Sequence, residues 1–503
     1  MELKALLSGS DIRGNAVAYD GKEVELTDEV VYSITKAFVY WLSAKVKNKI
    51  TVAVGHDSRI SAQRIETQVI KALVDSGCTV LRCGLCSTPS MFMMTKHEKV
   101  KADGAIMITA SHHPYYKNGL KFFDEQGGLE KDDVRSILNL AEAGSGIRGR
   151  GGKVVEDDYL KYYCDALIEK IRKATGETYP LRNLKIVVDA GNGAGGFFVD
   201  RVLKPLGADT TGSQYLEPDG MFPNHVPNPE DKEAMRHISR CVLENKADLG
   251  IIFDTDVDRA ACVAPDGQEI NRNRLIALVS AILLEEHPGA TIVTDSVTSD
   301  ALTDFIISRK GNHHRFKRGY KNVINEAIEL NGIGVYAPLA IETSGHAAFA
   351  ENYFLDDGAY LVIRILIKLC QLKKQNKPLL SLIEDLREPA ETFEARIGFK
   401  PSCKDWKKTA QTVMARAEKV FSKKMGFKLA QSYEGVRINF ADGWMLLRQS
   451  VHDPILPLNV ESDKEGGTLF AVKKLYKVLK KHKDLDLGVL KSYISDQKRK
   501  SKK

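Results

Sequence analysis

The sequence is organised around Thr-Ala-Ser-His-His-Pro at residues 109–114. It follows the apolar run Gly104–Ile108, which is typical of a short buried strand. A proline cannot continue regular structure, so we expect a turn that leaves the Ser111 hydroxyl at the strand end, beside two imidazoles. A serine among proton-carrying groups suits nucleophilic or phosphoryl-transfer chemistry. On this stretch alone, a polar turn with surface histidines is an equal alternative.

Strand-like and helical patterns alternate outward from this stretch. The apolar run at residues 50–55 and a helical pattern at 62–76 predict an α/β layer architecture. Similar cycles begin at residues 184–189 and 291–295, which is consistent with an internal duplication. After about residue 390, short strand-like segments between helices predict a separate α+β domain.

Length and composition are those of a soluble globular protein. A chain of 503 residues exceeds one core and predicts three or four domains. No stretch approaches the roughly 20 uncharged apolar residues that span a bilayer, and residues 1–8 do not resemble a signal peptide. Eight cysteines are too few for a disulfide framework in such a chain, so we expect a reduced, cytoplasmic setting. Cys83 and Cys86 form a C-x-x-C without a second pair at zinc spacing, which favours incidental thiols over a zinc or redox site.

The formal net charge of +7 is concentrated at the C-terminus. Five of these positive charges lie in residues 498–503, which leaves about +2 for the body. We expect this tail to be a solvated, disordered end, with a nuclear or nucleic-acid signal as the alternative. The lysines between residues 473 and 481 alternate with apolar residues at helical spacing, which favours the wet face of an amphipathic helix over an RNA-binding patch.

Three aspartates follow the apolar run 249–253. They are Asp254, Asp256 and Asp258, and Arg259 comes directly after them. In extended backbone, residues i, i+2 and i+4 point the same way, so the carboxylates would converge and need a compensating cation. Oxygen ligands suit Mg²⁺ or Ca²⁺, and an adjacent arginine suits a phosphate oxygen. An acidic surface turn is the alternative, whereas an EF-hand is excluded because its glycine and distal glutamate are missing.

A glycine-rich run, Gly-Asn-Gly-Ala-Gly-Gly, occupies residues 191–196 after another strand-like segment. It satisfies the G-x-G-x-x-G pattern formally, and Asp209 follows, so dinucleotide binding is an alternative. Two adjacent glycines begin a helix poorly, and Asp209 lies nearer than the usual spacing. The run therefore favours a tight strand-to-helix turn.

Two later loops carry polar side chains. Residues 342–346 are Glu-Thr-Ser-Gly-His, whose side chains can hydrogen-bond sugar hydroxyls. Residues 448–454 are Arg-Gln-Ser-Val-His-Asp-Pro, which offer donors suited to a phosphate group. Each loop in isolation is equally consistent with an ordinary polar turn.

The order of these four motifs resembles the α-D-phosphohexomutase superfamily, which contains phosphoglucomutases, phosphomannomutases and phosphoglucosamine mutases. The resemblance covers essentially the whole chain and includes further stretches at residues 9–14, 189–195, 218–229 and 319–321. Because the glycine run belongs to one of these stretches, the resemblance weighs against dinucleotide binding. The Glu-Thr-Ser and Arg-Gln-Ser-Val-His-Asp-Pro loops depart from the Glu-Met-Ser and Arg-x-Ser-Gly-Thr-Glu-Pro of many relatives, and together resemble the phosphoglucomutase/phosphomannomutase branch.

The resemblance implies an α/β fold of four domains around a central cleft. Three would be related mixed α/β layer domains, and the fourth would be a smaller C-terminal α+β domain. The implied domains are 1–165 with the phosphoserine loop, 166–275 with the metal loop, 276–390 with the sugar-binding loop, and 391–503 with a phosphate-binding loop and the basic tail.

The resemblance also implies roles for individual residues. The implied catalytic residues are Ser111, which would be phosphorylated, Lys121, His346, Arg259, His112 and Arg13. One Mg²⁺ would be held by Ser111, Asp254, Asp256 and Asp258. The implied substrate-binding residues are Glu342, Ser344, Lys321, Arg448, Ser450 and His452.

The implied activity is the interconversion of hexose 1-phosphate and hexose 6-phosphate, with glucose, mannose or both as the sugar. It would proceed through a phosphoserine enzyme and a hexose 1,6-bisphosphate, which would also act as activator. The implied partner is the phosphorylated hexose, with no nucleic acid or membrane, and the protein would be a cytoplasmic monomer or homodimer. The alternatives are a phosphoglucosamine mutase, a hexose-1,6-bisphosphate synthase or phosphatase, and a catalytically weak relative that acts as a binding subunit.

Overall fold

The computed structural model describes residues 2–156, 158–450 and 453–500. Its contacts divide the chain into two compact units. Unit 1 contains Met1–Ile282, Pro338–Ala340 and Ser344–Leu382. Unit 2 contains Leu283–Ala337, Ile341–Thr343 and Ile383–Lys503.

The first part of unit 1 is a mixed sheet between helices. Its strands are β1 (Leu7–Ser8), β2 (Asp11–Asn15), β3 (Thr51–His56), β4 (Thr79–Leu85), β5 (Gly104–Ile108), β6 (Lys117–Asp124), β7 (Gly127–Gly128) and β8 (Lys153–Glu156). Its helices are α1 (Asp28–Ser43), α2 (Ala62–Asp75), α3 (Thr88–Lys96) and α4 (Lys131–Glu142). The strand order is β1-β2-β6-β5-β3-β4-β8, with β7 beside β6. Strands β3, β4, β5 and β8 pair in parallel, whereas β5–β6 and β2–β6 are antiparallel.

Strand β5 explains why the 109–114 stretch lies where it does. All five of its residues are buried, as expected for a central strand covered on both faces. The apolar face of α1, with Ile34, Phe38 and Leu42, packs in the core on one side of this sheet. The strand is therefore fixed, and the loop after Ile108 begins at a defined edge of the sheet.

The second part of unit 1 holds a four-stranded sheet in the order β12-β11-β10-β9. Its elements are α5 (Tyr159–Thr175), β9 (Ile186–Asp189), α6 (Lys232–Asn245), β10 (Leu249–Phe253), β11 (Ala260–Val263), β12 (Glu269–Ile270) and α7 (Arg272–Glu286), which ends in unit 2. Strands β9 and β10 pair in parallel, and β10 and β11 pair antiparallel.

The chain then passes between the units. The elements are β13 (Thr291–Thr294), α8 (Asp300–Ser308), β14 (Asn312–Arg315), α9 (Tyr320–Gly332), β15 (Leu339–Ile341), β16 (Ala347–Phe349), β17 (Leu355–Asp356) and α10 (Gly358–Lys374). Within unit 2, β13 and β14 pair in parallel. Within unit 1, β16 and β17 pair antiparallel.

The C-terminal part of unit 2 is an antiparallel sheet covered by helices. Its elements are β18 (Glu391–Phe399), α11 (Trp406–Phe421), β19 (Phe427–Leu429), β20 (Val436–Phe440), β21 (Gly443–Leu447), β22 (Ile455–Ser462), α12 (Gly467–Leu479), β23 (Leu485–Asp486) and α13 (Gly488–Lys500). The strand order is β19-β20-β21-β22-β18-β23. Short helical turns elsewhere are Leu3–Leu6, Val199–Leu203, Lys204–Leu206, Ala350–Asn352 and Leu379–Leu382. The architecture confirms the predicted α/β class with a C-terminal α+β domain.

The predicted disordered tail is corrected in part. Helix α13 continues to Lys500, so residues 498–500 are helical, while 501–503 lie outside the described residues. Leu490 is buried, and Tyr493 and Ile494 pack against the C-terminal core, which anchors the helix that carries the basic residues. The predicted amphipathic helix is α12, which buries Leu475 and Leu479 and leaves Lys477 exposed.

The predicted domain boundaries stay predictions, as does the central cleft. Two of the boundaries, 165/166 and 275/276, fall inside α5 and α7. Within the part of the chain that the structure describes, no helix is both long enough and apolar enough to cross a bilayer. Cys83 and Cys86 are free thiols, and Cys86 is buried.

Candidate active site

Ser111 lies three residues beyond the end of β5, in a left-handed backbone conformation with φ of 51°. Only 4% of the residue is exposed. Its hydroxyl donates to Oδ2 of Asp254 at 3.2 Å and accepts from Nη2 of Arg259 at 2.7 Å. A left-handed conformation is costly for serine, and such conformations cluster at functional sites. The structure thus holds one hydroxyl between a carboxylate and a guanidinium.

The three aspartates converge, but not for the predicted reason. Residues 254–258 form a turn rather than extended backbone, and Val257 adopts φ of 66°. A positive φ is unusual for a β-branched residue and turns the chain so that the carboxylates still meet. Oxygens of Asp254, Asp256 and Asp258 lie within 4.8 Å of one another, and all three residues are buried. We call these three residues the acidic cluster.

The acidic cluster has the properties of a cation site. Burial, and then repulsion by Asp258, raises the pKa of Asp254 well above its usual range. Oδ1 of Asp256 and Oδ1 of Asp258 are buried and receive no hydrogen bond from any residue that the structure describes. Buried oxygen acceptors without donors suit a hard cation, which would also remove the repulsion between the carboxylates.

The glycine run at 191–196 packs against the loop of the acidic cluster. The amide of Ala194 donates to the carbonyl oxygen of Thr255 at 2.8 Å. A Cβ atom on Gly193 would lie 2.7 Å from the same oxygen, so only glycine fits without a shift. This contact supports the predicted tight turn and gives the glycines a structural role.

Two cationic side chains meet the acidic cluster. Arg259 is 2% exposed, and its Nε donates to Oδ2 of Asp254 at 3.1 Å. Lys121 projects from β6, with Nζ 2.6 Å from Oδ2 of Asp258 and 3.2 Å from Oδ2 of Asp256. Although burial alone would raise the pKa of Asp258, Lys121 and other nearby cations hold it below its usual range. The structure therefore brings Lys121 and Arg259 together with Ser111, and the catalytic roles expected for these three residues stay predictions.

His112 and His346 also border the acidic cluster. Nδ1 of His112 lies 3.3 Å from Oγ of Ser111, and burial with the charge of Arg259 lowers the pKa of His112 to about 2. Nδ1 of His346 lies 2.9 Å from Oγ of Ser344, and its Nε2 lies 3.6 Å from Oδ1 of Asp258. Burial lowers the pKa of His346 to about 3. Both rings are neutral at pH 7 in this arrangement, and an added phosphate dianion would raise both pKa values.

Arg13 lies on β2, which pairs antiparallel with β6. Its Nη2 donates to Oδ2 of Asp11 at 2.9 Å, so it does not bond to Ser111 directly. Its positive charge is one cause of the lowered pKa values of His112 and His346. Arg13 therefore contributes to the positive potential around the phosphoserine loop.

Two predicted substrate-binding residues, Glu342 and Lys321, lie on neighbouring loops of unit 2. Oε1 of Glu342, directly after β15, accepts from the amide of Gly319 at 2.7 Å, and Lys321 is the second residue of α9. The next residue, Thr343, donates from both N and Oγ1 to Oδ2 of Asp295. Unit 2 thus brings the loops of Glu342 and Lys321 together, and no sequence motif pointed to Asp295.

The last predicted loop follows β21. Arg448 is half-buried, burial lowers its pKa, and its buried Nε has no hydrogen-bond partner among the described residues. Oγ of Ser450 accepts from the amide of Asp453 at 3.2 Å, which closes the loop. His452 lies outside the described residues.

Three family models match successive parts of the chain. They are described as phosphoglucomutase/phosphomannomutase alpha/beta/alpha domains I, II and III, and they match residues 6–148, 161–267 and 271–389. The phosphoglucomutase of Neisseria gonorrhoeae is 30% identical over 455 residues, which are 90% of this chain and 93% of that protein. The chain belongs to the phosphoglucomutase/phosphomannomutase family. This confirms the resemblance to the α-D-phosphohexomutase superfamily.

Further relatives agree with this family. The phosphomannomutase/phosphoglucomutase of Pseudomonas syringae is 30% identical over 434 residues, which cover 85% of this chain and 88% of that protein. A solved structure of a phosphoglucomutase/phosphomannomutase family protein from Burkholderia thailandensis has 25% sequence identity and a TM-score of 0.80, and covers 96% of this chain and 98% of its own. The similarity therefore extends beyond the three matched domains into the C-terminal part of the family fold.

Proposed function

We propose that this family member is a phosphohexomutase that interconverts hexose 1-phosphate and hexose 6-phosphate, with glucose or mannose as the sugar. The observation that carries this proposal is the Ser111 hydroxyl, which bonds both Arg259 and Asp254 at a buried acidic cluster. Serine, guanidinium and clustered carboxylates together are the parts that phosphoryl transfer needs. Relatives named phosphoglucomutase and phosphomannomutase support the same activity.

Ser111 is the proposed carrier of the phosphoryl group. In the forward step, the P–O bond to Oγ of Ser111 breaks while a new P–O bond forms to the free hydroxyl oxygen of the hexose phosphate. The hydroxyl proton passes to a base, and the serine oxygen takes up a proton. The hexose 1,6-bisphosphate then reorients and returns its other phosphoryl group to Ser111, so the enzyme regains its phosphoserine and the bisphosphate also acts as activator.

The acidic cluster is the proposed site for one Mg²⁺. Asp254, Asp256 and Asp258 offer oxygen ligands, and the phosphorylated Ser111 would supply a further oxygen. When bound, the ion supplies neutralisation of negative charge on the phosphoryl oxygens.

The cationic and imidazole side chains have proposed roles in charge and proton transfer. Arg259 already donates to the Ser111 oxygen and would stabilise negative charge on it during transfer. Lys121 and His346 are the proposed acid–base pair, because a buried ammonium donates protons and a neutral imidazole accepts them. His112 and Arg13 would orient the phosphoryl group and contribute charge.

The loops of unit 2 are the proposed means of substrate recognition. Glu342 and Lys321 would bond the sugar hydroxyls and phosphate. Ser344, which lies beside His346 in unit 1, is also a proposed substrate-binding residue. Arg448, Ser450 and His452 would hold the phosphate that is not reacting, because a guanidinium with a buried, unpaired Nε suits an anion. The phosphorylated hexose is the proposed partner, and compartment and oligomeric state stay predictions.

A steady-state assay tests the activity. Glucose 1-phosphate or mannose 1-phosphate is supplied with Mg²⁺ and a trace of the matching 1,6-bisphosphate, and formation of the 6-phosphate is followed for wild type and Ser111→Ala. Ser136→Ala is the control, because Ser136 lies on the exposed face of α4 and its hydroxyl donates to the carbonyl oxygen of Asp132 in the same helix. The proposal requires turnover that is lost in Ser111→Ala and kept in the control.

The products separate the alternatives. A mutase conserves the bisphosphate, whereas a synthase accumulates it and a phosphatase releases inorganic phosphate. Turnover of glucosamine phosphate alone would assign the amino-sugar branch instead. Absence of turnover with all three sugars, even after incubation with bisphosphate, would favour a binding subunit.

A further inference from the structure

Arg59 lies in the turn between β3 and α2, and its side chain is completely buried. Its guanidinium donates to four backbone carbonyl oxygens of the loop that carries Ser111. These are the carbonyls of His113 at 2.6 Å, Pro114 at 2.9 Å, Lys117 at 2.9 Å, and Ser111 itself. One arginine therefore binds the backbone of this loop along most of its length.

Asp57 closes the arrangement from the other side. The amide of Ser111 donates to Oγ1 of Thr109 at 2.9 Å, and this hydroxyl donates to Oδ2 of Asp57 at 2.6 Å. The same carboxylate accepts from Nε of Arg59 at 3.2 Å. Both the N–H and the C=O of Ser111 are thus tied to one buried ion pair, the N–H through Thr109 and the C=O directly.

A second segment of unit 1 seals this ion pair from solvent. The ring of Phe222 lies 5.3 Å from the guanidinium carbon of Arg59. A Cβ atom on Gly220 would lie 2.4 Å from the amide nitrogen of Ile60, so the two backbones are in close contact. Because Arg59 is covered in this way, it does not reach a substrate.

A buried ion pair is stable only when its polar atoms are well bonded, and a strained residue persists only when its surroundings determine it. Both conditions are met here. The polar atoms of the Arg59–Asp57 pair are hydrogen-bonded, and their bonds surround Ser111 with its unusual φ of 51°. We propose that Arg59 and Asp57 are positioning residues for phosphoryl transfer, which hold residues 109–117 so that Oγ of Ser111 lies between Arg259 and Asp254. The catalytic part of this inference rests on the proposed function of Ser111.

The test compares variants of Arg59 with a matched arginine. Arg59→Lys keeps the charge but cannot reach four carbonyls and Asp57 at once. Arg64→Lys is the control, because Arg64 lies on α2 and also donates to two backbone carbonyls, those of Ala16 and Leu26, at 3.0 and 2.9 Å. Both changes thus weaken hydrogen bonds from an arginine to backbone carbonyl oxygens of unit 1. Only Arg59→Lys affects the loop that carries Ser111.

Thr109 provides a second pair of variants in case Arg59→Lys does not fold. Thr109→Val removes the hydroxyl that links Ser111 to Asp57 while it keeps the side-chain shape. Thr109→Ser retains that hydroxyl and is the conservative rescue. If Thr109 served only general stability, the presence or absence of its hydroxyl would not decide kcat.

Two readouts are measured on the full chain. Hydrogen–deuterium exchange is followed in the peptide that covers residues 109–117, and kcat and KM are measured for glucose 1-phosphate. We expect Arg59→Lys and Thr109→Val to raise exchange of this peptide about tenfold and to lower kcat about 100-fold with KM nearly unchanged. Arg64→Lys and Thr109→Ser should resemble wild type in both.

Each outcome decides one of the two ideas. Wild-type exchange at 109–117 in both Arg59→Lys and Thr109→Val would overturn the positioning role, and so would an unchanged kcat in an active enzyme. Wild type could instead be inactive with every sugar, while exchange at 109–117 rises only in Arg59→Lys and Thr109→Val. That result would contradict the proposed function but would still establish that Arg59 and Asp57 hold the loop.

Discussion

Nη2 of Arg259 lies 2.7 Å from Oγ of Ser111, although 148 positions separate these residues in the chain. The contact joins the loop after β5 to the loop between β10 and β11, and these strands belong to different sheets. Each strand is buried, and each is followed by a tight turn that contains a residue with positive φ. The fold therefore places the Ser111 hydroxyl and the Arg259 guanidinium side by side and restricts the conformation of both.

This contact predicts a large effect of a conservative change at Arg259. Arg259→Lys keeps a positive charge but loses the planar fork that bonds Ser111 and Asp254 together. We expect kcat to fall by about 10²- to 10³-fold, the usual cost of losing one preorganised donor. Arg240→Lys is the control, since Arg240 forms an exposed ion pair with Glu244 on α6. Equal kcat values in the two variants would contradict this role.

The acidic cluster predicts a divalent cation that stabilises the fold. A ligand that binds only the folded state raises the melting temperature with its concentration. Mg²⁺ should raise the Tm of wild type. Asp256→Asn should need at least about tenfold more Mg²⁺ for the same rise in Tm. Asp266→Asn serves as control, because Asp266 lies in an exposed turn with Gln268. Identical Mg²⁺ titrations of Asp256→Asn and wild type would exclude the cluster as the metal site.

We expect substitution of Glu342 to impair sugar recognition without impairing the phosphorylation of Ser111. Glu342→Gln should lower kcat/KM for hexose phosphates at least about tenfold, because a carboxylate acceptor is replaced by a neutral amide. The fraction of phosphorylated Ser111, measured by intact mass, should equal that of wild type. Glu329→Gln, a change on α9 away from this loop, controls for general effects. An altered phosphorylation level in Glu342→Gln would show that its role is not confined to the sugar.

We expect burial of His313 to lower the free energy of unfolding in acid. It lies between the hydroxyls of Thr294 and Thr303, and burial with the charges of Arg315 and Arg437 holds its pKa well below the usual range. Below pH 6.5 the unfolded state therefore binds a proton that the folded state does not, and stability falls as pH falls.

The size of this effect is on the order of 1 kcal/mol at pH 5.5. Tm should drop between pH 7.5 and pH 5.5 by more in wild type than in His313→Gln, which cannot take up the proton. The other histidines contribute equally to both proteins and cancel in the comparison. Parallel Tm curves for the two proteins would contradict the prediction.

Local patterns in the sequence were sufficient to predict much of the fold. The buried strand β5 and the turn after it follow from an apolar run that ends in a proline-containing stretch. The order of the four motifs predicted the family, and the structure places Ser111, Lys121, Arg259 and the acidic cluster together. These successes depend on short-range signals that the chain carries in order.

Other features were not predictable because they depend on contacts distant in sequence. The carboxylates converge through a turn at Val257 rather than through extended backbone, since packing overrides the strand preference of valine there. Arg59 and Asp57 follow β3 as an ordinary polar turn, and only the folded chain shows which carbonyls they bind. Helix α13 extends into the basic tail because Tyr493 anchors it to the core.

The most direct test of the account is a single turnover of the phosphorylated enzyme. The protein is loaded from glucose 1,6-bisphosphate whose phosphoryl groups carry ¹⁸O, freed of excess ligand and mixed with unlabelled glucose 1-phosphate and Mg²⁺, and the Ser111 peptide and the sugar phosphates are then analysed by mass. The account predicts that the labelled phosphoryl group leaves Ser111 and appears on glucose 6-phosphate, while Ser111 becomes phosphorylated again by the unlabelled group of the substrate. A phosphoryl group that never forms on Ser111, or a label that stays on Ser111 while glucose 6-phosphate is produced, would contradict it.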